Sequence, residues 1–339
     1  MPDLDSWPPI PTVIGHRGAS ALRPEHTLAS YALAIEAGAD FIEPDLVPTK
    51  DGVLVARHEN AIAQVDEATG AVIEATTDVA ERAEFARRRA TKQIDGKTLC
   101  GWFTEDFTLA ELKTLRAKER IPLVRPANTR FDGQFEIATW QEIVELAKTM
   151  SAQLGRTVGV YAETKHPAYF RSIGLALESR LLAVLATQGW NDAAAPVFLQ
   201  SFEPTSLLRM RAESSVRMVQ LIEALGKPGD AADPALPDAL ATHADMITPA
   251  GLAEIARYAQ GIGPHKALLL PVAGDGHAAA TSLAADAHAA GLLVHVWTVR
   301  PENAFLPAAL RGEPVADRSA HGDTIAEMHA LLQAGADGL

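Results

Sequence analysis

Short apolar runs alternate with longer stretches of helical spacing along most of the chain, the pattern of repeated βα units. The run at 12–15 reads as a first strand and 41–46 as a second. A Lys50-Asp51-Gly52 turn then leads into a short run at 53–56. Further strands are expected at 157–162, 196–201, 216–221, 261–263 and 292–299, with a lesser candidate at 246–247. Alanine- and leucine-rich helices fall between them, at 27–37 with Gly38 as its stop, and at 170–187, 205–212, 249–259, 278–290 and 324–334. Residues 60–156 break the rhythm. They predict a basic helix at 80–92, a loop at 93–104, a helix near 109–118 and a Pro- and Asn-rich loop at 120–132. The expected architecture is α/β: a (β/α)8 TIM barrel, with an insertion between the second and third βα units. Residues 1–59 and 157–339 would form the catalytic barrel, and 60–156 a subdomain packed on its mouth. The sequence stops at Gly338-Leu339, where an eighth strand should begin, so either the native protein is longer or the barrel closes in an unusual way.

Composition narrows the class. A length of 339 residues suits one such barrel with an insertion and buries a core without disulfides. The single Cys100 excludes an intramolecular disulfide framework and a Cys-based structural zinc site. A formal charge of −13 argues against nucleic acid or an anionic membrane as the main partner. It leaves room for a small anionic substrate, since a bound cation and a few placed basic side chains reverse the field locally. The basic cluster Arg82 to Arg89 is interspersed with Glu81 and Glu84, and so reads as a solvated helix face. The opening residues lack a basic and then apolar leader, and no apolar run is long enough to span a bilayer. The expected compartment is therefore the cytoplasm, although a mature periplasmic or secreted chain would read the same.

Four polar clusters stand where barrel strands end, which is where the active sites of such barrels are built. Gly15-His16-Arg17-Gly18 follows the first strand; the glycines allow close approach to a ligand, and Arg17 offers a planar fork of donors for phosphate oxygens. Glu43 and Asp45 close the second strand two positions apart, so they face the same way. An isolated E-x-D is usually a solvated strand end. Here Phe41, Ile42 and Leu46 mark a buried strand, so the acids need a partner, and hard oxygen ligands favour Mg²⁺ or Ca²⁺. His58 lies a short way beyond and can fold back over the same mouth, giving with His16 one base and one acid near neutral pH. Glu163 and Lys165 end the third barrel strand, again on one face. The other histidines are assigned to structure by default, with His166 and His295 placed where they could reach the site.

These residues resemble the glycerophosphodiester phosphodiesterase family. The match runs through H-R-G-A-S and P-E-H-T (Pro24 to Thr27), Glu43 and Asp45, His58, and Glu163 with Lys165. It continues in L-Q-S-F ending at Phe202, G-I-G-P from Gly261, and V-W-T-V around Trp297. The long insertion is similar to that of the larger bacterial periplasmic-type branch. The resemblance implies a TIM barrel that hydrolyses glycerophosphodiesters to sn-glycerol 3-phosphate and an alcohol. It also implies Ca²⁺ or Mg²⁺ held by Glu43, Asp45 and Glu163, with His16 and His58 as the acid/base pair and Arg17 on the phosphate. Lys165, Phe202 and Trp297 match positions lining the pocket. Two departures stand out: Glu59 follows His58 where the family commonly has Asp, and the T-D-x-P segment after the final G-L is lacking. Two other readings stay in view, a related barrel phospholipase D-type enzyme acting on lysophospholipid or sphingomyelin, and a non-catalytic glycerophosphodiester-binding protein. No phosphate-binding G-x-x-x-x-G-K-[ST] loop, H-E-x-x-H helix or G-x-S-x-G elbow is present.

Overall fold

The β-branched runs become short parallel strands whose successive residues are buried on both sides, as strands wrapped by helices must be. A computed structural model describes residues 7–274, 276–277 and 279–339. The chain divides into two compact units, Gly15–Val197, and Phe198–Leu339 together with residues 7–14.

In the first unit, β1 (Ile14–His16) lies beside β2 (Phe41–Glu43). After Pro44 the chain resumes as β3 (Asp45–Pro48), which turns back antiparallel through β4 (Leu54–Ala56). The chain then builds an antiparallel four-stranded sheet, in the order β6-β5-β8-β7, from β5 (Ala61–Val65), β6 (Val72–Ala75), β7 (Ala90–Ile94) and β8 (Lys97–Phe103). It rejoins the parallel sheet at β9 (Gly159–Thr164), which pairs with both β2 and β3. Helix Trp140–Leu154 precedes β9 and buries Trp140, Ile143, Val144, Ala147 and Met150, a single apolar stripe.

The second unit carries β10 (Val197–Ser201), β11 (Arg217–Ile222) and β12 (Gly261–Pro264) in parallel, with a small hairpin of β13 (Val272–Ala273) and β14 (Gly276–His277). Next to β12 runs β15 (Leu293–Val294). Residues Asp337 to Leu339 occupy the eighth-strand position. Thr12 N donates to Asp337 O at 2.8 Å and Ile14 N to Leu339 O at 2.9 Å, while on the other edge Val296 N donates to Gly338 O at 3.0 Å. Asp337 to Leu339 are therefore bonded as a strand on both sides.

Several local expectations change. The basic helix at 80–92 is instead two short 3₁₀ turns, Val79–Glu81 and Ala83–Arg88, followed by β7. The loop at 93–104 is the β7–β8 hairpin, whose turn is Asp95-Gly96 with φ of 46° and 78°, the two-residue turn that an Asp-Gly pair favours. The helix near 109–118 is one turn, Leu109–Leu112. The helix at 170–187 breaks into Pro167–Ser172 and Glu178–Thr187 at Gly174, whose φ is 80°. The strand at 246–247 falls instead at the end of a short helix, His243–Met246. The helix at 278–290 is Leu283–Ala289; Ala278 lies outside the described residues. Among the described residues no helix is long and apolar enough to cross a membrane.

Candidate active site

Strand register assembles the site. Phe41 pairs with Gly159 and Ile42 with Val160, and the same offset sets Asp45 opposite Glu163. Asp45 and Glu163 thus share a face, and Glu43, two residues before Asp45, shares it too. One carboxylate oxygen from each of Glu43, Asp45 and Glu163 lies within 4.8 Å of the others, and all three residues are buried. The β3–β4 hairpin then delivers His58: Ala56 pairs with Leu46, and Arg57 N donates to Asp45 O at 2.9 Å.

Arg17 follows β1 with φ of 60°, and its own N–H donates to Glu43 Oε2 at 2.9 Å. Gly18 must be glycine: its φ is 83°, and a Cβ would meet Ser30 Oγ at 2.5 Å. The buried Arg17 guanidinium is held on two sides, Nη1 3.2 Å from Glu25 and Nε 3.3 Å from Asp45 Oδ2. Lys165 Nζ lies 2.8 Å from Glu163 Oε1. His16 ends β1 half-buried, and His58, also largely buried, has Nδ1 3.0 Å from Glu59 Oε1.

Burial in this crowd separates the titrations. Burial, then the neighbouring Asp45 and Glu163 carboxylates, hold Glu43 well above the usual carboxylate range. Burial, outweighing the Lys165 cation and helped by Asp45, pushes Glu163 up to about 8. Asp45 goes the other way: burial opposes its charge, yet His26, Arg17 and Lys165 hold it well below the usual range. His58 is pushed down to about 3 by burial and by the cations Arg17 and Lys165, so its ring is neutral. Asp45 Oδ1 is buried with no hydrogen-bond partner among the described residues. Three convergent carboxylates, one with an unused oxygen, fit a hard divalent cation.

The other two residues matched to the pocket lie in the second unit. Phe202 and Trp297 meet edge to face with ring centroids 5.5 Å apart, and Trp297 Nε1 donates to Gly263 O at 2.7 Å. His295 is buried edge-on against Phe198 at 5.4 Å, a packing role.

Sequence reasoning left out several members of the site. His26, given a structural reading, spans Asp45 Oδ2 at 2.9 Å and the Tyr31 hydroxyl at 2.7 Å. Glu25 accepts from Arg17 and also from Arg120 Nε at 3.0 Å, an arginine of the insertion. The signal was present, because both residues sit inside the P-E-H-T match, but a motif match says nothing of what a side chain touches. Arg57 is fully buried with Nε and Nη2 lacking hydrogen-bond partners among the described residues, and burial pushes it down to about 10.

Comparison with known proteins identifies the family. Residues 16–339 match the glycerophosphoryl diester phosphodiesterase family. The chain is 34% identical over 316 residues to the glycerophosphodiester phosphodiesterase GDPD6 of Arabidopsis thaliana, covering 90% of this chain and 78% of that protein. It is 30% identical over 267 residues to a glycerophosphodiester phosphodiesterase of Haemophilus influenzae, covering 74% and 68%. Among solved structures, a phosphodiesterase of Oleispira antarctica in complex with its product sn-glycerol-3-phosphate superposes with a TM-score of 0.58 at 18% identity, over 97% and 92% of the two chains. A glycerophosphodiester phosphodiesterase of Agrobacterium tumefaciens does so with 0.52 at 17%, over 96% and 94%. These likenesses establish the TIM-barrel fold, and the sequence match establishes the lineage: the chain belongs to the glycerophosphoryl diester phosphodiesterase family of enzymes.

Proposed function

We propose that the protein hydrolyses glycerophosphodiesters to sn-glycerol 3-phosphate and an alcohol, with a divalent cation, Ca²⁺ or Mg²⁺, held by Glu43, Asp45 and Glu163. The observation that carries this reading is the register that sets Asp45 opposite Glu163, with Arg17 and Lys165 beside the acids. When bound, the cation neutralises charge on the phosphate oxygens and balances the three carboxylates. Arg17, fixed by Glu25 and Asp45, presents the rest of its fork to a non-bridging phosphate oxygen. Lys165 adds a second positive charge where negative charge grows. One of His16 and His58 takes a proton from the nucleophile, water or the neighbouring glycerol hydroxyl, and the other protonates the leaving alkoxide. Each such transfer contributes roughly 10²–10⁴-fold. The neutral ring of His58, with Nδ1 held by Glu59, supports the acceptor role for its other nitrogen. The insertion, 60–156, is assigned to the barrel mouth: Arg120 reaches Glu25, while Arg125 Nη1 donates to Ser20 O at 2.7 Å and Asn128 Nδ2 to the same oxygen at 3.0 Å.

The test is a coupled glycerol 3-phosphate assay on glycerophosphodiesters of several head groups, with lysophosphatidylcholine and sphingomyelin alongside. Release of glycerol 3-phosphate, abolished by EDTA and restored by Ca²⁺ or Mg²⁺, is expected. Turnover confined to the two phospholipids would instead favour the phospholipase D-type reading, and no turnover of any substrate the binding-protein reading. His16→Ala and His58→Ala should each abolish turnover in a folded protein; near-normal rates in either would remove that histidine from the mechanism.

A further inference from the structure

Beyond the groups that would touch substrate, a chain of side chains runs from His58 out into the insertion. Glu59 uses both carboxylate oxygens, Oε1 3.0 Å from His58 Nδ1 and Oε2 2.9 Å from His166 Nε2. The second nitrogen of His166, Nδ1, lies 2.5 Å from Asp95 Oδ2. Asp95 is the first residue of the β7–β8 turn, 71 positions before His166, which follows the end of β9. We infer that His166 is a positioning residue for His58, acting through Glu59 and anchored at its far side by Asp95 of the insertion hairpin.

The geometry dictates the protonation. An imidazole with a carboxylate oxygen at each nitrogen can satisfy both only as a double donor, that is, as the cation. Burial opposes that charge, but the hydrogen bonds to Asp95 and Glu59 prevail and push His166 up to about 9. Lys165 is the cation facing His166 and works the other way. Glu59 is correspondingly held far below the usual carboxylate range: burial opposes its charge, and His166, His58 and Lys165 overcome it. A carboxylate gripped by a fixed cation cannot rotate away, so Oε1 stays on His58 Nδ1–H. The opposite nitrogen of His58 is then left as the one that handles protons. The Glu59 side chain is long enough for one oxygen to meet His58 and the other His166. Both His166 and Asp95 hold left-handed backbone, φ 48° and 46°, so each ring or carboxylate is aimed by a constrained main chain.

This inference rests on the acid/base reading of His58, and the experiment separates the two. His166→Asn and Asp95→Asn both keep a residue that tolerates left-handed backbone. Their kcat and KM for glycerophosphocholine, with saturating Mg²⁺ or Ca²⁺, are measured across pH beside His58→Ala. His166→Asn should lower kcat by about 10- to 100-fold with KM changed by no more than about twofold, and Asp95→Asn should act in the same direction but less. Removing the His166 cation should also raise the pKa of His58, so the acidic limb of the kcat profile moves to higher pH; Glu59, Asp45, Arg17 and Lys165 are the other charges facing that ring. A merely structural His166 would lower the melting temperature without moving that limb. The inference is overturned if both Asn variants keep kcat and the acidic limb while His58→Ala is inactive. If His58→Ala itself turns over normally, the catalytic reading of His58 fails first and the positioning role falls with it.

Discussion

The three buried acids hold opposing titrations, and this has a consequence for stability. Glu163 is raised to about 8 from an ordinary value of 4.5, chiefly by burial. A carboxyl raised on folding favours the folded state fully only below its unfolded value; its contribution erodes as pH rises from 4.5 through 8. A divalent cation removes that penalty, whereas protons compete with the cation at lower pH. Melting temperatures in EDTA should therefore fall between pH 6 and pH 8.5, and added Ca²⁺ or Mg²⁺ should raise them more at the higher pH. Glu163→Gln should blunt the increment. An equal cation effect at both pH values would count against the three-carboxylate site. His26 supplies a second test at this scale. His26→Ala would strip Asp45 Oδ2 and the Tyr31 hydroxyl of a buried partner. Each lost partner costs about 1–3 kcal/mol, and the loosened ligand should weaken cation binding by about 10- to 100-fold, read by metal titration of activity.

At the scale of elements, helix Trp140–Leu154 does more than its sequence context suggested. Thr139 accepts from the Glu142 N–H while Glu142 reaches back to the Thr139 N–H, and Gly155 stops the helix at φ of 63°. Thr139→Ala should cost about 1 kcal/mol, visible as a melting shift of about 2 °C or less with turnover unchanged. The capping box and the stop are both legible in T-W-Q-E and L-G, but they lie in 60–156, where the βα rhythm that singles out the other helices is broken. The Asp95-Gly96 turn has a related reason for being illegible: β7 and the first residues of β8, which flank it, are mostly polar and exposed, so alternation gives little contrast. By contrast Glu43, Asp45 and Glu163 were legible, because polar residues at the ends of apolar β-runs are rare unless something gathers them. His166, Glu25 and Arg120 were not, because their partners are far away in sequence, and no local pattern encodes a contact between residues 25 and 120.

At the scale of the whole molecule, the segment Asp337 to Leu339 is held between two strand edges. Parallel strands contribute through main-chain bonds on both edges, and Asp337 to Leu339 makes them to Thr12 and Ile14 on one side and to residues 294–296 on the other. Asp337 adds a side-chain bond, accepting from Val294 N at 2.8 Å, and its Oδ2 lies 2.9 Å from His288 Nε2. Between these edges Gly338 has no room: a Cβ would stand 2.8 Å from His295 Cδ2 and 3.1 Å from Thr12 Cβ. Both obstacles belong to residues already paired with it, so neither can retreat without losing hydrogen bonds. Gly338→Val should therefore cost about 1–3 kcal/mol, the usual range for overpacking a tight site. The loss should show as a lower melting temperature and as faster hydrogen exchange at the Thr12, Ile14 and Val296 amides, which donate to this segment. If the variant melts and exchanges like the parent, the segment does not hold both edges in solution. The β1 and β15 neighbourhoods would then need some other partner for the same buried main-chain donors, since an unpaired buried N–H costs as much as the strand was invoked to explain.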